Sequence, residues 1–292
     1  MDAFAIAARL QLNVHDLNNE ATAGNVTDIR IMEYIDLNGQ RCEAPAVSGR
    51  MVKHWHQAAL TELARVEGVP LCTQCAQSEP LRPPSGFGTQ ADAIRQCIVC
   101  DVHGFLIAEK GIEAVEGRRT SRANFSWLMP VLDEGVETAA RQVIHNRVSA
   151  DPEAMMPYYK SYASGIYGFV SSLEIDRIGV TDAEHREVEG VDRVQRARLC
   201  IQAYRHLLSG QLGASQSHAV PHTDCPELLV AFTDSGPLPN PISPIYPGYA
   251  EKYVGMAPPG AQLHAFGIEP TEGITVHETI GEVFDVVLNA LK

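Results

Sequence analysis

"SGRMVKHWHQAALTELARVEG", residues 48–68, carries both punctuation marks of a helix, with Ser48 as a favoured N-cap and Gly68 as a residue that closes helices. Val52, Trp55, Ala59, Leu63 and Val66 recur at steps of three and four, which predicts a buried face. Successive helical residues turn by about 100°, so His54 and His56 diverge by about 200° and cannot share a metal ion. A helical histidine pair that binds metal needs a spacing of four, and this segment lacks it. Arg50, Lys53, His54 and Gln57 instead share one face opposite Trp55. That face lies at the helix N-terminus, where unpaired N–H groups and the macrodipole attract anions. Ser48 and Gly49 would let a phosphate approach the backbone. The face reads either as an anion site or as a solvated helix surface.

Upstream, Phe4 to Val14 alternates apolar and polar residues in its second half, which predicts a half-buried strand. The polar loop "HDLNNEATAGN" (15–25) leads to a second strand, "VTDIRIMEYID" (26–36), an Asn38-Gly39 turn and a short "EAPAV" (43–47). Downstream, "DVHGFLI" (101–107) and "ANFSWLMPV" (123–131) read as strands joined by the basic turn "EGRRTSR" (116–122). "TAARQVIHNRVS" (138–149) and "SYASGIYGFVSSLEI" (161–175) read as strands whose long connection predicts a protruding hairpin over 141–172. A helix is expected from Glu189 to Ser209 with Val194, Ile201, Tyr204 and Leu208 inward, then a strand, "ELLVAF" (227–232), and a loop with five prolines between Pro237 and Pro247. A capping box from Thr275 to Glu278 would open the last helix, with Ile280, Val283, Val287 and Leu291 on one side. This order suits an α+β fold of ferredoxin-like type, a single domain over 1–292 with insertions.

The chain has 292 residues, 45% of them apolar and 20% charged, an ordinary soluble balance. No apolar run approaches the roughly 18 residues of a membrane span, and Asp2 stands where a signal peptide carries positive charge. The expectation is a cytoplasmic protein with no membrane partner. A net charge of −13 argues against a free-standing nucleic-acid binder. Basic clusters at Arg118–Arg122, Arg141–Arg147 and Arg193–Arg205 suit nucleic acid held by an assembly, and equally suit solvated faces. G-x-S-x-G, Walker A and G-x-G-x-x-G motifs do not occur in the chain. His103, His145 and His218 read as general bases or as structural histidines.

Four of the seven cysteines form two CxxC pairs, Cys72 with Cys75 and Cys97 with Cys100, separated by 21 residues. Two such pairs can surround Zn²⁺ tetrahedrally in a closed structural site, within an insertion over 69–101. The other reading is buried free thiols, and His103 is a possible substitute ligand.

"VSGRMVKHWH", "DVHGFL", "IHNRVS", "YASGIYGF" and "LLSGQLGAS", in this order along nearly the whole chain, resemble the DevR-type autoregulator family. Its members are the CRISPR RNA-binding backbone of type I Cascade complexes, and the likeness is to the archaeal-type (I-A) branch. The resemblance implies an RRM-like palm, a helical finger-like insertion and a protruding thumb hairpin, and the CxxC spacing would make that finger zinc-ribbon-like. It implies a non-catalytic protein whose copies form a filament along the guide RNA spacer and present it to target DNA. Other Cascade subunits and a helicase-nuclease effector are the further partners implied. Carried over by position, RNA contacts fall on Asn18, Asn25, Ser48, Gly49, Arg50, Lys53, His54, Arg118, Arg119, Arg122, His145, Asn146, Arg147, Gly213 and Ser215. Met155 and Met156 at the thumb tip would wedge against a kinked base or touch a neighbouring copy. His218 stands where the family leads one to expect arginine, and the CxxC pairs rest on spacing rather than on resemblance. The alternative activity is a metal-independent endoribonuclease of the same superfamily, using His54 or His145.

Overall fold

In the computed structural model the chain is described over residues 1–17, 20–23, 26–77, 87–106, 117–133, 140–146, 157–208 and 222–292. The strands are β1 (Ala3–Asn13), β2 (Glu20–Ala23), β3 (Val26–Ile29), β4 (Ile31–Ile35), β5 (Arg41–Pro45), β6 (Phe105–Leu106), β7 (Arg118–Arg119), β8 (Ala123–Phe125), β9 (Met129–Pro130), β10 (Arg141–Asn146), β11 (Pro157–Tyr162), β12 (Ser164–Glu174), β13 (Asp224–Thr233), β14 (Gln262–Phe266) and β15 (Thr275–His277). The helices are α1 (Gly49–Val66), α2 (Thr73–Ala76), α3 (Gln90–Gln96), α4 (Ile98–His103), α5 (Arg193–Leu208), α6 (Tyr249–Val254) and α7 (Ile280–Ala290).

β1 is the spine. It pairs antiparallel with β12 on one side and β13 on the other, within a sheet ordered β15-β14-β13-β1-β12-β8, while β9 also pairs with β12. The result is mixed, because β14 and β15 run parallel. Phe4, Ile6, Ala8, Leu10 and Leu12 face the main core with α1, α5 and α7, whereas Ala7 faces a second core with Leu229, Ala231, Tyr249 and Tyr253. Both faces are therefore covered near the centre, so the half-buried strand expected there is instead buried at nearly every position. The alternation is real, but it separates two cores rather than core from solvent.

α1 keeps its expected bounds: Ser48 caps it and its hydroxyl accepts from the Met51 N–H. Its buried stripe runs through Val52, Trp55, His56, Gln57, Leu60, Thr61 and Ala64, while Val66 is 82% exposed. α5 buries Ile201, Tyr204 and Leu208 as expected but leaves Val194 exposed. The capping box of α7 is Thr279 with Glu282, four residues beyond the expected one, and Thr275–His277 is the edge strand β15.

"VTDIRIMEYID" divides at Arg30 into β3 and β4, which join different sheets. Within "DVHGFL", Asp101–His103 end α4 and only Phe105–Leu106 are strand. The described part of 69–101 contains three short helices, α2, α3 and α4. The expected hairpin over 141–172 also divides: β10 pairs with β11 in a separate sheet ordered β10-β11-β3-β2, while β12 belongs to the central sheet.

Candidate nucleic-acid interface and cysteine cluster

Three backbone junctions build a cleft at the start of α1. The Ala46 N–H donates to the Arg30 carbonyl at 2.9 Å, which fixes Arg30 beside the end of β5. Val47 and Leu128 exchange N–H···O bonds of 3.0 and 2.9 Å. Gly49 then packs so closely on residues 125 and 126 that a Cβ there would meet the Phe125 carbonyl oxygen at 2.5 Å. Glycine is required by this contact, where the sequence suggested room for a phosphate.

The cleft has a volume of about 500 Å³ and is lined by Arg30, Ser48, Gly49, Arg50, Lys53, Ala123, Asn124, Phe125 and Trp127. Three cations and no carboxylate are among these residues, in a chain of net charge −13. Arg50 and His54 are exposed, while Lys53 is half-buried with its Nζ donating to Ser121 Oγ at 2.8 Å. The Arg30 guanidinium lies over the Trp127 ring, 5.9 Å from its centroid. Added to the helix N-terminus, this places positive charge and an aromatic ring side by side at the cleft, a combination chemically complementary to an anion that carries a flat apolar part.

Gln57, placed on this face by spacing, is buried instead. His56 is fully buried: its Nε2 lies 3.0 Å from the Cys200 carbonyl and its Nδ1 3.0 Å from His103 Nε2. Burial lowers its pKa to about 3, so the ring is neutral. The same contact occupies His103, which is thus paired with α1 rather than with the cysteines.

The basic turn divides between surface and core. Arg118 is exposed, but Arg119 and Arg122 are buried. Arg119 bonds the fully buried Asp101 carboxylate, which also accepts from Arg196 Nη1 at 2.7 Å and the Gly179 N–H at 3.0 Å. Arg122 pairs with Asp182. Burial lowers the pKa of both arginines, Arg122 to about 10, opposed by Asp101 at Arg119 and by Glu174 and Asp101 at Arg122. Both guanidinium groups are thus engaged inside the fold rather than presented on its surface.

His145 and Asn146 sit on β10 in register with Tyr158 and Pro157. Asn18, Asn25, Arg147, Met155, Met156, Gly213, Ser215 and His218 lie outside the described residues. Spacing missed Arg30, Asn124 and Trp127, since each comes from a segment distant from α1. Their one sequence signal is a tryptophan between Ser126 and Leu128, in a chain with only two.

The Sγ atoms of Cys72, Cys75, Cys97 and Cys100, all buried, lie within 4.8 Å of one another. Cys72 and Cys75 are 3.8 and 3.7 Å from Cys100. Four thiolates at Zn–S distances of about 2.3 Å around a tetrahedral ion are separated by about 3.8 Å, so donor set and spacing fit a closed structural zinc site. Cys72 and Cys97 N-cap α2 and α4, and the Cys100 N–H donates to Cys97 Sγ at 3.4 Å. Hydrogen bonding with Cys100 lowers the pKa of Cys72 and Cys97, while hydrogen bonding with Cys72 leads the rise at Cys100.

A family model described as "CRISPR-associated negative auto-regulator DevR/Csa2" matches residues 6–254. The chain belongs to this family. Among DevR/Csa2 relatives, a "CRISPR-associated protein Cas7/Cst2/DevR" of Thermoproteus tenax is 29% identical over 267 residues, covering 84% of this chain and 79% of the relative. The "CRISPR-associated aCascade subunit Cas7/Csa2 2" of Saccharolobus solfataricus is 24% identical and covers 95% of this chain and 97% of its own. In fold, the DevR/Csa2 chain is similar to a chain of a "CRISPR RNA-guided surveillance complex", with a TM-score of 0.60, 14% identity and 99% of both chains covered. A second such complex, described as pre-nicking, gives 0.62 at 12% identity, over 99% of this chain and 100% of the other. No helix among the described residues is long and apolar enough to cross a membrane.

Proposed function

We propose that this protein is a non-catalytic backbone subunit of a type I CRISPR complex. Its copies line up along the spacer of one guide RNA, grip the phosphates and leave the bases to pair with target DNA. The observation that carries this reading is the cleft at the start of α1, where Arg30, Arg50 and Lys53 converge on a helix N-terminus in a DevR/Csa2 chain. Each copy needs only a basic stripe along a shared RNA, so the acidic net charge is no obstacle. The names of the relatives and structural neighbours support the same role.

An RRM-like palm is supported by the strand order β13-β1-β12-β8 and by α1 and α5 packed in one core. Ser48, Gly49, Arg50, Lys53, His54 and Arg118 form its RNA side, with Ser48 and Gly49 acting through their backbone. The thumb contacts at His145, Asn146, Arg147, Met155 and Met156, and those at Asn18, Asn25, Gly213 and Ser215, follow from the family resemblance. Other Cascade subunits and a helicase-nuclease effector complete the assembly, in the cytoplasm. The four cysteines hold one structural zinc ion that ties α2 to α4, and α4 in turn carries Asp101 and His103.

Purification from cells that carry a CRISPR array tests the role: a discrete guide RNA should copurify, and its absence refutes the reading. Incubation with repeat RNA tests for catalysis. Specific cleavage lost in His145→Ala would replace the scaffold by the endoribonuclease.

A further inference from the structure

Trp127 stands apart from the chain's other indole. Trp55 is fully buried in the main core, whereas Trp127 is half-buried and belongs to neither core. Its position is nevertheless fixed on both sides. Leu128 is bonded to Val47, the Ser126 N–H donates to the Val170 carbonyl at 2.9 Å, and the Val170 N–H donates to Ser126 Oγ at 2.8 Å. A rigid backbone thus holds a large aromatic ring at the wall of a cationic cleft, beneath a guanidinium.

We infer that the Arg30–Trp127 pair is a stacking platform for one nucleobase of the guide, placed so that the adjoining phosphate reaches Arg50, Lys53 and the first turn of α1. Every base has a π-face, so the platform accepts any base and suits a protein that must hold any spacer. Asn124 on the same wall supplies an amide toward the ribose or base edge. The inference rests on the RNA-binding reading, and the two fail in different experiments.

The test uses the full chain, a single-stranded oligouridine and an abasic oligomer of equal length with the same ribose-phosphate backbone. With one tryptophan buried and one in the cleft, oligouridine should quench a large part of the intrinsic fluorescence and the abasic oligomer little of it. Trp127→Ala should weaken oligouridine binding about tenfold without changing its salt dependence, because the phosphate contacts remain. Trp127→Phe should keep most of the affinity and abolish the quenching, which also guards against an alanine variant that fails to fold. Equal affinity of Trp127→Ala and wild type for oligouridine, alongside weakened binding by Arg50→Glu/Lys53→Glu, overturns the platform and leaves the RNA role standing. If wild type binds neither oligomer, the RNA role itself fails. Fluorescence that follows protein concentration and ignores RNA would mean a neighbouring copy covers Trp127, which also overturns the platform.

Discussion

Gly49 lies against the backbone of Phe125 so closely that a Cβ would stand 2.5 Å from the Phe125 carbonyl oxygen and 2.9 Å from that of Ser126. Both obstacles are main-chain atoms, Phe125 held by pairing with Ser171 and Ser126 by its hydrogen bonds with Val170, so neither can rotate away. Gly49→Ala must therefore push the start of α1 off residues 125–128 or break the Val47–Leu128 bridge. The expected cost is about 1–3 kcal/mol, as for other overpacked sites. Copurified RNA should fall as well, because the displaced turn carries Arg50 and Lys53. Urea unfolding with unchanged stability would show that the contact is relaxed in solution.

Charge reversal separates the roles of the cleft from those of the core. Arg50 is exposed and Lys53 half-buried, so Arg50→Glu/Lys53→Glu should leave the thermal midpoint close to wild type while RNA retention falls. Losing two phosphate contacts should also flatten the dependence of binding on salt, by a slope of about 1.4 for a single-stranded RNA. A melting point lowered as far as that of a core variant would mark these residues as structural.

Arg118 and Arg119 are neighbours with opposite expectations. Arg119→Ala leaves the Asp101 carboxylate buried with one guanidinium fewer, which should cost about 3–5 kcal/mol. Arg118→Ala removes an exposed cation and should hardly change stability while weakening RNA binding modestly. Chemical denaturation of the two variants decides it, and equal stability would mean that the Asp101 cluster contributes nothing.

This contrast also shows what a sequence can reveal. The bounds of α1 were readable because caps and periodicity are local, and the four cysteines were readable because their spacing encodes their geometry. The burial of Arg119 and Arg122 was not readable, since their partners Asp101 and Asp182 are 18 and 60 residues away. A run such as "GRRTSR" resembles a solvated surface until those partners are known. Gln57 is buried where spacing put it on the polar face, and the partners that satisfy the buried His56, Cys200 and His103, come from other helices and were not readable for the same reason. Arg30 and Trp127 were not readable because non-local junctions bring them to α1: the Val47–Leu128 bridge, the bond from Ala46 to Arg30 and the packing of Gly49 on residues 125 and 126.

The cysteine cluster predicts a stoichiometry. Purified protein should contain about one zinc per chain, released by a thiol-reactive mercurial, while less than about half an equivalent would favour buried free thiols. Cys100→Ser should lower the thermal midpoint more than Cys225→Ser, because Cys225 lies outside the cluster although it is also buried. RNA binding should weaken with it, since α4 places His103 against His56 of α1. A Cys100→Ser protein with full zinc content would rule out this ligand set.

His56 makes stability depend on pH with a fixed sign. A carbonyl can only accept, so the ring donates from Nε2 to Cys200, and its unprotonated Nδ1 accepts from His103. Protonating Nδ1 would set two N–H groups face to face in a buried site. Burial lowers the pKa from 6.5 to about 3, so between these values the unfolded chain holds more protons at this position. The stabilising contribution is complete above about pH 6.5 and is lost as pH falls toward 3, at about 1.4 kcal/mol per pH unit. His56→Gln keeps a side-chain donor and acceptor but cannot be charged. Its unfolding free energy should therefore decline less than that of wild type between pH 7 and pH 5, by about 2 kcal/mol. Parallel pH profiles for the two proteins would show that His56 does not carry the dependence.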